Sequence, residues 1–153
     1  MRQHRNIHKS YDEPVQRLFN ALRFDTYIRP HRHSLDPKVE SLFALRGEFA
    51  LITFTEQGYP QEVVRFGANS PASAPGVEIG SGTWHTVLVL TETAVLLEIK
   101  AGPFDPVASK EFAAWSPEEG SEHAARYLAR LRELVAEWPA KHMDGVPPPT
   151  SRL

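Results

Sequence analysis

The stretch His31-Arg32-His33 decides how this chain is interpreted. Two His separated by one residue point to the same face of an extended segment, because side chains alternate along a strand. Downstream, the runs 39–45 and 48–55 are rich in branched and aromatic residues and are separated by Arg46-Gly47. These runs predict a hairpin that brings Glu40 back alongside the two His.

A further His lies in another extended run, 83–90, which contains His85. A lone His-x-His pair is more often a surface feature than a metal site, but a carboxylate and a distant His on a neighbouring strand favour metal binding. Imidazole and carboxylate ligands suit first-row transition metals, among them iron, manganese, nickel, copper and zinc. We therefore predict one divalent transition metal, bound by His31, His33, Glu40 and His85.

Length and composition indicate one globular domain. The chain has 153 residues, of which 41% are hydrophobic and 24% are charged, as in an ordinary soluble protein. There is no Cys, which excludes a disulfide framework and thiolate chemistry. No apolar run reaches the roughly 18–20 residues of a membrane span, and the N-terminal residues lack the apolar core of a secretory signal.

The charge balance bears on partners and location. The net charge of -2 argues against a nucleic-acid or membrane-surface protein. Residues 1–33 are nevertheless basic, with seven Lys or Arg against three Asp or Glu. This excess is either a solvated surface or a pocket rim that attracts an anionic ligand. We expect a cytoplasmic protein, a homodimer, whose partner is a small anionic or sugar-like molecule.

Turn signals divide the first hundred residues into many short strands, of which 15–22 is an early one. This spacing is typical of a β-sandwich or barrel. Between 124 and 138, apolar residues follow helical spacing, and Ser116-Pro117-Glu118-Glu119 has the residues of a helix start. We predict an arm at 1–10, a domain at 11–138 that ends in a helix over about 121–138 packed outside the β core, and a tail at 139–153.

Two motifs in this chain resemble those of the cupin superfamily. The first is His31-x-His33 followed by Glu40 and, after six more residues, Gly47. The second is Gly80-x-Gly82-x-x-His85. The resemblance implies an all-β double-stranded β-helix, a jelly-roll barrel, with the same four metal ligands near its open end. The six residues between His33 and Glu40 depart from the family, where three or four are more usual.

Within the cupins, the chain is similar to the WbuC-type cupin-fold metalloproteins. Four segments carry the similarity: 12–22, 27–33, 78–85 and 98–106. The similarity covers about residues 8–119 and implies a bacterial protein loosely associated with surface-polysaccharide gene sets. It implies no particular reaction.

Two residues are candidates for moving a proton at this site. Tyr27 has the same alternation as His31 and His33, although Pro30 interrupts it. Glu98 lies within the apolar run 95–99, where an unpaired carboxylate is costly. The structural alternative for Glu98 is a salt bridge or a role as partner of a metal ligand.

Other residues are candidates for binding the substrate. Arg29 precedes the His pair with the alternation of Tyr27, and its planar fork of donors suits an anion. Gln16 and Asn20 are polar residues on an otherwise apolar face of the strand 15–22. Arg17 and His8 are placed to reach the rim of a pocket, although each is as readily explained by a structural role, and Phe104 is placed to cover the barrel mouth.

Two classes of function fit these residues. In the first, the protein is a metalloenzyme that acts on a small polar molecule such as a sugar, either by isomerase- or epimerase-like chemistry or as an oxygenase. In the second, it is a module that binds or senses a small ligand without turning it over. A general base beside the metal favours the enzyme, and an entirely apolar wall favours the binding module.

Overall fold

Ten strands and one helix make up the part of the chain that the structure, a computed structural model, describes: residues 2–68 and 74–139. The strands are β1 (Arg2–Asn6), β2 (Val15–Arg23), β3 (His31–Arg32), β4 (Glu40–Arg46), β5 (Glu48–Phe54), β6 (Pro60–Gly67), β7 (Gly76–Ile79), β8 (Trp84–Val89), β9 (Thr93–Ala101) and β10 (Glu111–Phe112). The helix is α1 (Ala124–Glu137).

The strands form two five-stranded sheets that pack face to face. The first has the order β1-β2-β9-β4-β7 and the second has the order β10-β3-β8-β5-β6. All strand pairs in both sheets are antiparallel. Apolar residues from both inner faces, such as Leu22 and Leu96 from the first and Phe49 and Val89 from the second, form one core. This arrangement confirms the predicted all-β sandwich or barrel.

Strand β8 is buried on both faces. Its alternating side chains contribute to two separate apolar clusters. Val87 and Val89 belong to the core between the sheets, on the same side as His85. Trp84 and Leu88 point the other way and join a second apolar cluster under α1. Trp84 therefore lies on the face of β8 opposite His85, as alternation along a strand requires.

Helix α1 covers the outer face of the second sheet. Its buried residues recur at helical spacing and are Ala124, Leu128, Leu131 and Val135. They pack with sheet residues such as Ile52 and Leu88, which confirms the predicted position outside the β core. The helix begins at Ala124, slightly later than the predicted start near 121, and its N-cap residue, His123, makes no side-chain capping hydrogen bond. The Ser116 hydroxyl, in the predicted helix start, instead donates to the Ala113 carbonyl.

Two predictions about chain organisation are wrong. The segment predicted as an arm contains β1, which pairs with β2 along its length. The runs 39–45 and 48–55 do not form a hairpin, because β4 and β5 lie in different sheets. Gly47 joins them with φ of 75°, and a Cβ there would lie 2.4 Å from the Thr91 hydroxyl oxygen.

The predicted tail, 139–153, lies outside the described residues apart from Pro139. Over the described ranges, the only α-helix is α1, and the structure offers no helix with the length and apolar character that a membrane crossing requires.

Candidate metal centre and cavity

The four predicted metal ligands come together from both sheets. His31 and His85 are register partners on β3 and β8, and His33 follows β3. Glu40 begins β4 in the opposite sheet, so the facing of the two sheets, rather than a hairpin, brings it to the His residues. All four side chains are buried, and one ligand atom from each lies within 4.8 Å of the others.

Each His in this cluster is oriented by a backbone carbonyl. The Nδ1 atom of His31 lies 2.9 Å from the Arg29 oxygen, that of His85 lies 2.8 Å from the Thr83 oxygen, and that of His33 bonds the Ser109 oxygen. A carbonyl can only accept, so each Nδ1 carries the proton and donates it. Each Nε2 is then left with a free lone pair, the form of imidazole that binds a metal.

The charges and lone pairs of the cluster suit a cation. The Nε2 atoms of His33 and His85 lie 3.1 and 3.5 Å from the same oxygen, Oε2 of Glu40. Burial raises the pKa of Glu40, but the adjacent His33, His85 and Glu98 side chains outweigh burial and hold that pKa well below its ordinary value. Burial, with Lys110 and His85 nearby, lowers the pKa of His31, so its ring stays neutral. Lone pairs and a carboxylate that face one another in this way fit a divalent metal ion.

A cavity of about 260 Å³ between the sheets opens onto this cluster. His31, Glu40 and His85 line it, and Val87 provides part of its apolar wall. Side chains from β1, β2, β9 and the loop before β10 complete the lining. The cavity therefore places a ligand against the metal ligands and against polar groups of the first sheet.

Three of the predicted substrate-binding residues line this cavity, Gln16, Asn20 and Phe104, and so does Glu98, one of the two predicted proton-moving residues. The amide of Asn20 donates to Oε2 of Glu98 over 2.8 Å. Burial, together with the nearby Glu40 carboxylate, raises the pKa of Glu98 to about 8. In the metal-free protein this raised pKa favours the protonated form of Glu98 at neutral pH, and the side chain faces the cavity beside Glu40.

Tyr27 and Arg29 do not line the cavity, and the prediction that they lie beside the metal is wrong. The Tyr27 hydroxyl donates to the Pro117 carbonyl, and its ring packs in the cluster under α1, where burial raises its pKa. The Arg29 guanidinium donates to the Ala113 carbonyl over 3.1 Å. The segment before Pro30 is not a strand, so the alternation does not extend across it.

Arg17 also points away from the cavity. It follows Gln16 on β2, so alternation directs its side chain to the outer face, where it forms a 2.7 Å salt bridge with Glu13. The predicted rim position of Arg17 is therefore wrong.

Sequence reasoning missed several groups that line the cavity. Lys100, Lys110 and Arg2 supply positive charge there, and His4 adds an imidazole. His8, which was predicted near the rim, also lines the cavity. Over the described ranges, no carboxylate lies within ion-pair distance of the Lys100 or Lys110 ammonium. Lys100 shares the alternation of Glu98 and could have been found from it, whereas Lys110 lies in a loop without a repeating pattern.

Comparison with known proteins supports the fold. A model for a domain of unknown function, DUF6016, matches residues 1–66, and no curated protein matches the chain. Protein SO0799 from Shewanella oneidensis has a similar structure, with a TM-score of 0.59 and 13% identity over 87% of this chain and 83% of that one. An uncharacterized conserved protein with a double-stranded beta-helix domain from Klebsiella pneumoniae has a TM-score of 0.54 and 12% identity, over 73% of this chain and 84% of that one.

The capsular polysaccharide assembling protein CapF from Staphylococcus aureus is also similar. It has a TM-score of 0.56 and 19% identity over 71% of this chain, which spans 29% of the length of CapF. Identities this low support the fold alone. Together with the two facing sheets, they establish the double-stranded β-helix, the cupin fold that the two motifs imply.

Proposed function

We propose that this protein is a cupin that binds one divalent transition metal through His31, His33, Glu40 and His85 and acts as a metalloenzyme on a small polar molecule. The observation that carries the proposal is the orientation of the three imidazoles. Each is held by a backbone carbonyl at Nδ1, so that each Nε2 is free to face the Glu40 carboxylate. Without a bound cation, the Nε2 lone pairs and the Glu40 carboxylate would be buried together with nothing to compensate them.

A metal bound there would polarise a carbonyl or hydroxyl of the ligand. The protein's own groups supply the rest of the chemistry. Glu98 faces the cavity, holds a proton and is oriented by Asn20, so it is our candidate for moving a proton to or from the ligand. The Lys100 and Lys110 ammonium groups attract an anionic ligand.

The alternative function, capture of a ligand without turnover, uses the same cavity. The presence of Glu98 beside the metal ligands favours the enzyme, because a purely apolar wall would suffice for binding. We further propose a WbuC-type cupin. The structural similarity to CapF, a capsular polysaccharide assembling protein, supports a sugar derivative as the ligand, in agreement with the gene association that the WbuC similarity implies.

Metal analysis tests the proposal. Protein purified without added metal and then equilibrated with Zn²⁺ should retain about one ion per chain, measured by elemental analysis after gel filtration. His31→Ala and His85→Ala should each lower the affinity for Zn²⁺ by more than about 100-fold, since loss of an outer-shell partner alone costs 10–100-fold.

The matched control is His123→Ala, because His123 is exposed and lies outside the cavity. This variant should retain the ion. Full occupancy in both His31→Ala and His85→Ala would show that the four residues do not form the metal site.

A further inference from the structure

The end of the cavity away from the metal ligands has its own polar groups. Strand register places three cavity-lining residues in one row across the first sheet. Gln16 on β2 is the partner of Lys100 on β9, and Lys100 is in turn the partner of Glu40 on β4. Adjacent strands lie about 4.8 Å apart, so the Gln16 backbone lies about 10 Å from that of Glu40. Lys100 therefore stands between the metal ligand and Gln16.

Gln16 is buried and presents an acceptor without a partner. Its Nε2 donates to the carbonyls of Ser10, Tyr11 and Glu13 at 3.4, 3.1 and 2.9 Å, which identifies the nitrogen of the amide. The opposite atom, Oε1, has no hydrogen-bond partner in the described structure. Gln16 is 2% exposed, and a buried acceptor of this kind normally finds a donor.

His8 presents a second buried polar atom without a partner. Its Nδ1 lies 2.9 Å from the Arg17 carbonyl oxygen and 3.1 Å from the Arg17 backbone nitrogen, so the backbone of β2 holds the ring. The other ring nitrogen, Nε2, is buried and has no partner over the described residues. His8 is 8% exposed and lines the same cavity as Gln16. Because a hydroxyl both donates and accepts, a ligand hydroxyl would satisfy either the Gln16 oxygen or this nitrogen.

A charged group and two aromatic rings limit the class of ligand that this end of the cavity can bind. The Lys100 Nζ lies 5.9 Å from the centre of the Phe104 ring, and the Tyr11 ring lies 5.0 Å from that of Phe104. This end of the cavity thus combines an ammonium group with apolar ring surface. Sugar phosphates and sugar acids both carry hydroxyls that can donate to the Gln16 oxygen. Lys100 is the cation in this row of residues, and its single positive charge matches a carboxylate monoanion better than a phosphate dianion.

We infer that His8, Gln16 and Lys100 form a second subsite that binds the carboxylate and neighbouring hydroxyl of a sugar acid, with Tyr11 and Phe104 against its carbon skeleton. The other end of the sugar acid then reaches the metal centre. The inference rests on the proposed function only for the contact between the sugar acid and the metal centre. The three groups of the subsite are present whether or not the metal is bound.

The test is calorimetric titration of the full chain with glucuronate, glucose and glucose 6-phosphate, each with and without Zn²⁺. Glucuronate should bind at least about tenfold more tightly than glucose, because a charge-assisted contact exceeds a neutral one. Glucose 6-phosphate should bind more weakly than glucuronate. Tighter binding of glucose 6-phosphate, or no binding of glucuronate in either metal state, would overturn the inference.

Variants locate the contact. Lys100→Met should weaken glucuronate binding about tenfold or more and change glucose binding less than about twofold, whereas Gln16→Leu and His8→Phe should weaken both about two- to tenfold. The matched control is Lys9→Met, at an exposed Lys that does not line the cavity. Unchanged glucuronate affinity in the three cavity variants would refute the subsite.

A further test uses only the wild-type protein, so it does not depend on whether a variant folds. In the wild-type protein, glucuronate should shift the ¹⁵N resonance of the His8 ring, while glucose shifts it less. A His8 resonance that does not move at saturating glucuronate would contradict the subsite. Zn²⁺ retention is measured separately, so a failed metal centre and a failed subsite give different results.

Discussion

The interior between the two sheets and the interior under α1 are built from the same kinds of apolar strand residues, but they bury different polar groups. Under α1, Thr86 and Ser116 are buried hydroxyls, and each donates to a backbone carbonyl. The Trp115 indole nitrogen in the same interior has no partner, but Trp115 does not line the cavity. Between the sheets, His8 and Gln16 both line the cavity, and each retains an unpaired polar atom. A buried polar group that is paired with the backbone supports the fold, whereas unpaired groups that share one cavity indicate a ligand.

The comparison predicts that substitutions in the interior under α1 change the stability of the protein and leave ligand binding unchanged. Leu131 is 4% exposed in this cluster, and Leu131→Asp would bury an unpaired charge there. We expect the free energy of unfolding to fall by about 4 kcal/mol, at the high end for point mutations. Urea denaturation followed by circular dichroism measures this change.

Ala129→Asp is the matched control, because Ala129 lies on the exposed side of the same helix. It should change the free energy of unfolding by less than about 0.5 kcal/mol. Equal losses for the two variants would show that α1 does not bury the Leu131 face.

Most of the interior could be predicted from local patterns. Alternation assigned His85 and Trp84 to opposite faces, and helical spacing assigned Leu131 to the packed side of α1. The ligand set followed from residue type and motif spacing. These features depend on short stretches of chain, where side-chain direction follows directly from secondary structure.

The rest depends on pairing over long distances or on breaks in the pattern. The partner of β4 is β9, some fifty residues further along, and nothing in the sequence near Glu40 specifies that choice over a hairpin with β5. Pro30 interrupts the alternation that was expected to place Tyr27 in the site. Lys110 reaches the cavity from a loop, for which no periodic rule exists.

For the interior between the sheets, we predict a dependence of stability on pH that comes from Glu98. Burial and the neighbouring Glu40 raise the pKa of Glu98 to about 8 in the folded protein, whereas an unfolded Glu titrates near 4.3. Between these values the folded state binds more protons, so this group's contribution to stability is full at low pH and is lost as pH rises toward 8. In metal-free protein, Glu98→Gln should remove this loss, which amounts to as much as about 1.4 kcal/mol per pH unit.

Urea denaturation at several pH values from 5 to 8 measures the slopes. Glu78→Gln is the control, because Glu78 is an exposed residue on β7. It should keep the wild-type slope. A Glu98→Gln slope that matches the wild type would show that Glu98 is ionised throughout this range.

The smallest expected effect concerns Tyr27, which the sequence assigned to the cavity and the structure assigns to the interior under α1. Tyr27→Phe removes the hydroxyl that donates to the Pro117 carbonyl over 2.9 Å while keeping the ring that meets Tyr127 edge-on at 5.9 Å. We expect a loss of about 1 kcal/mol in the free energy of unfolding, the usual contribution of one hydrogen bond. Because the ring points away from the metal ligands, Zn²⁺ affinity and glucuronate affinity should stay within about twofold of wild type. A marked fall in either affinity with stability unchanged would place Tyr27 in the cavity and contradict the separation of the two interiors.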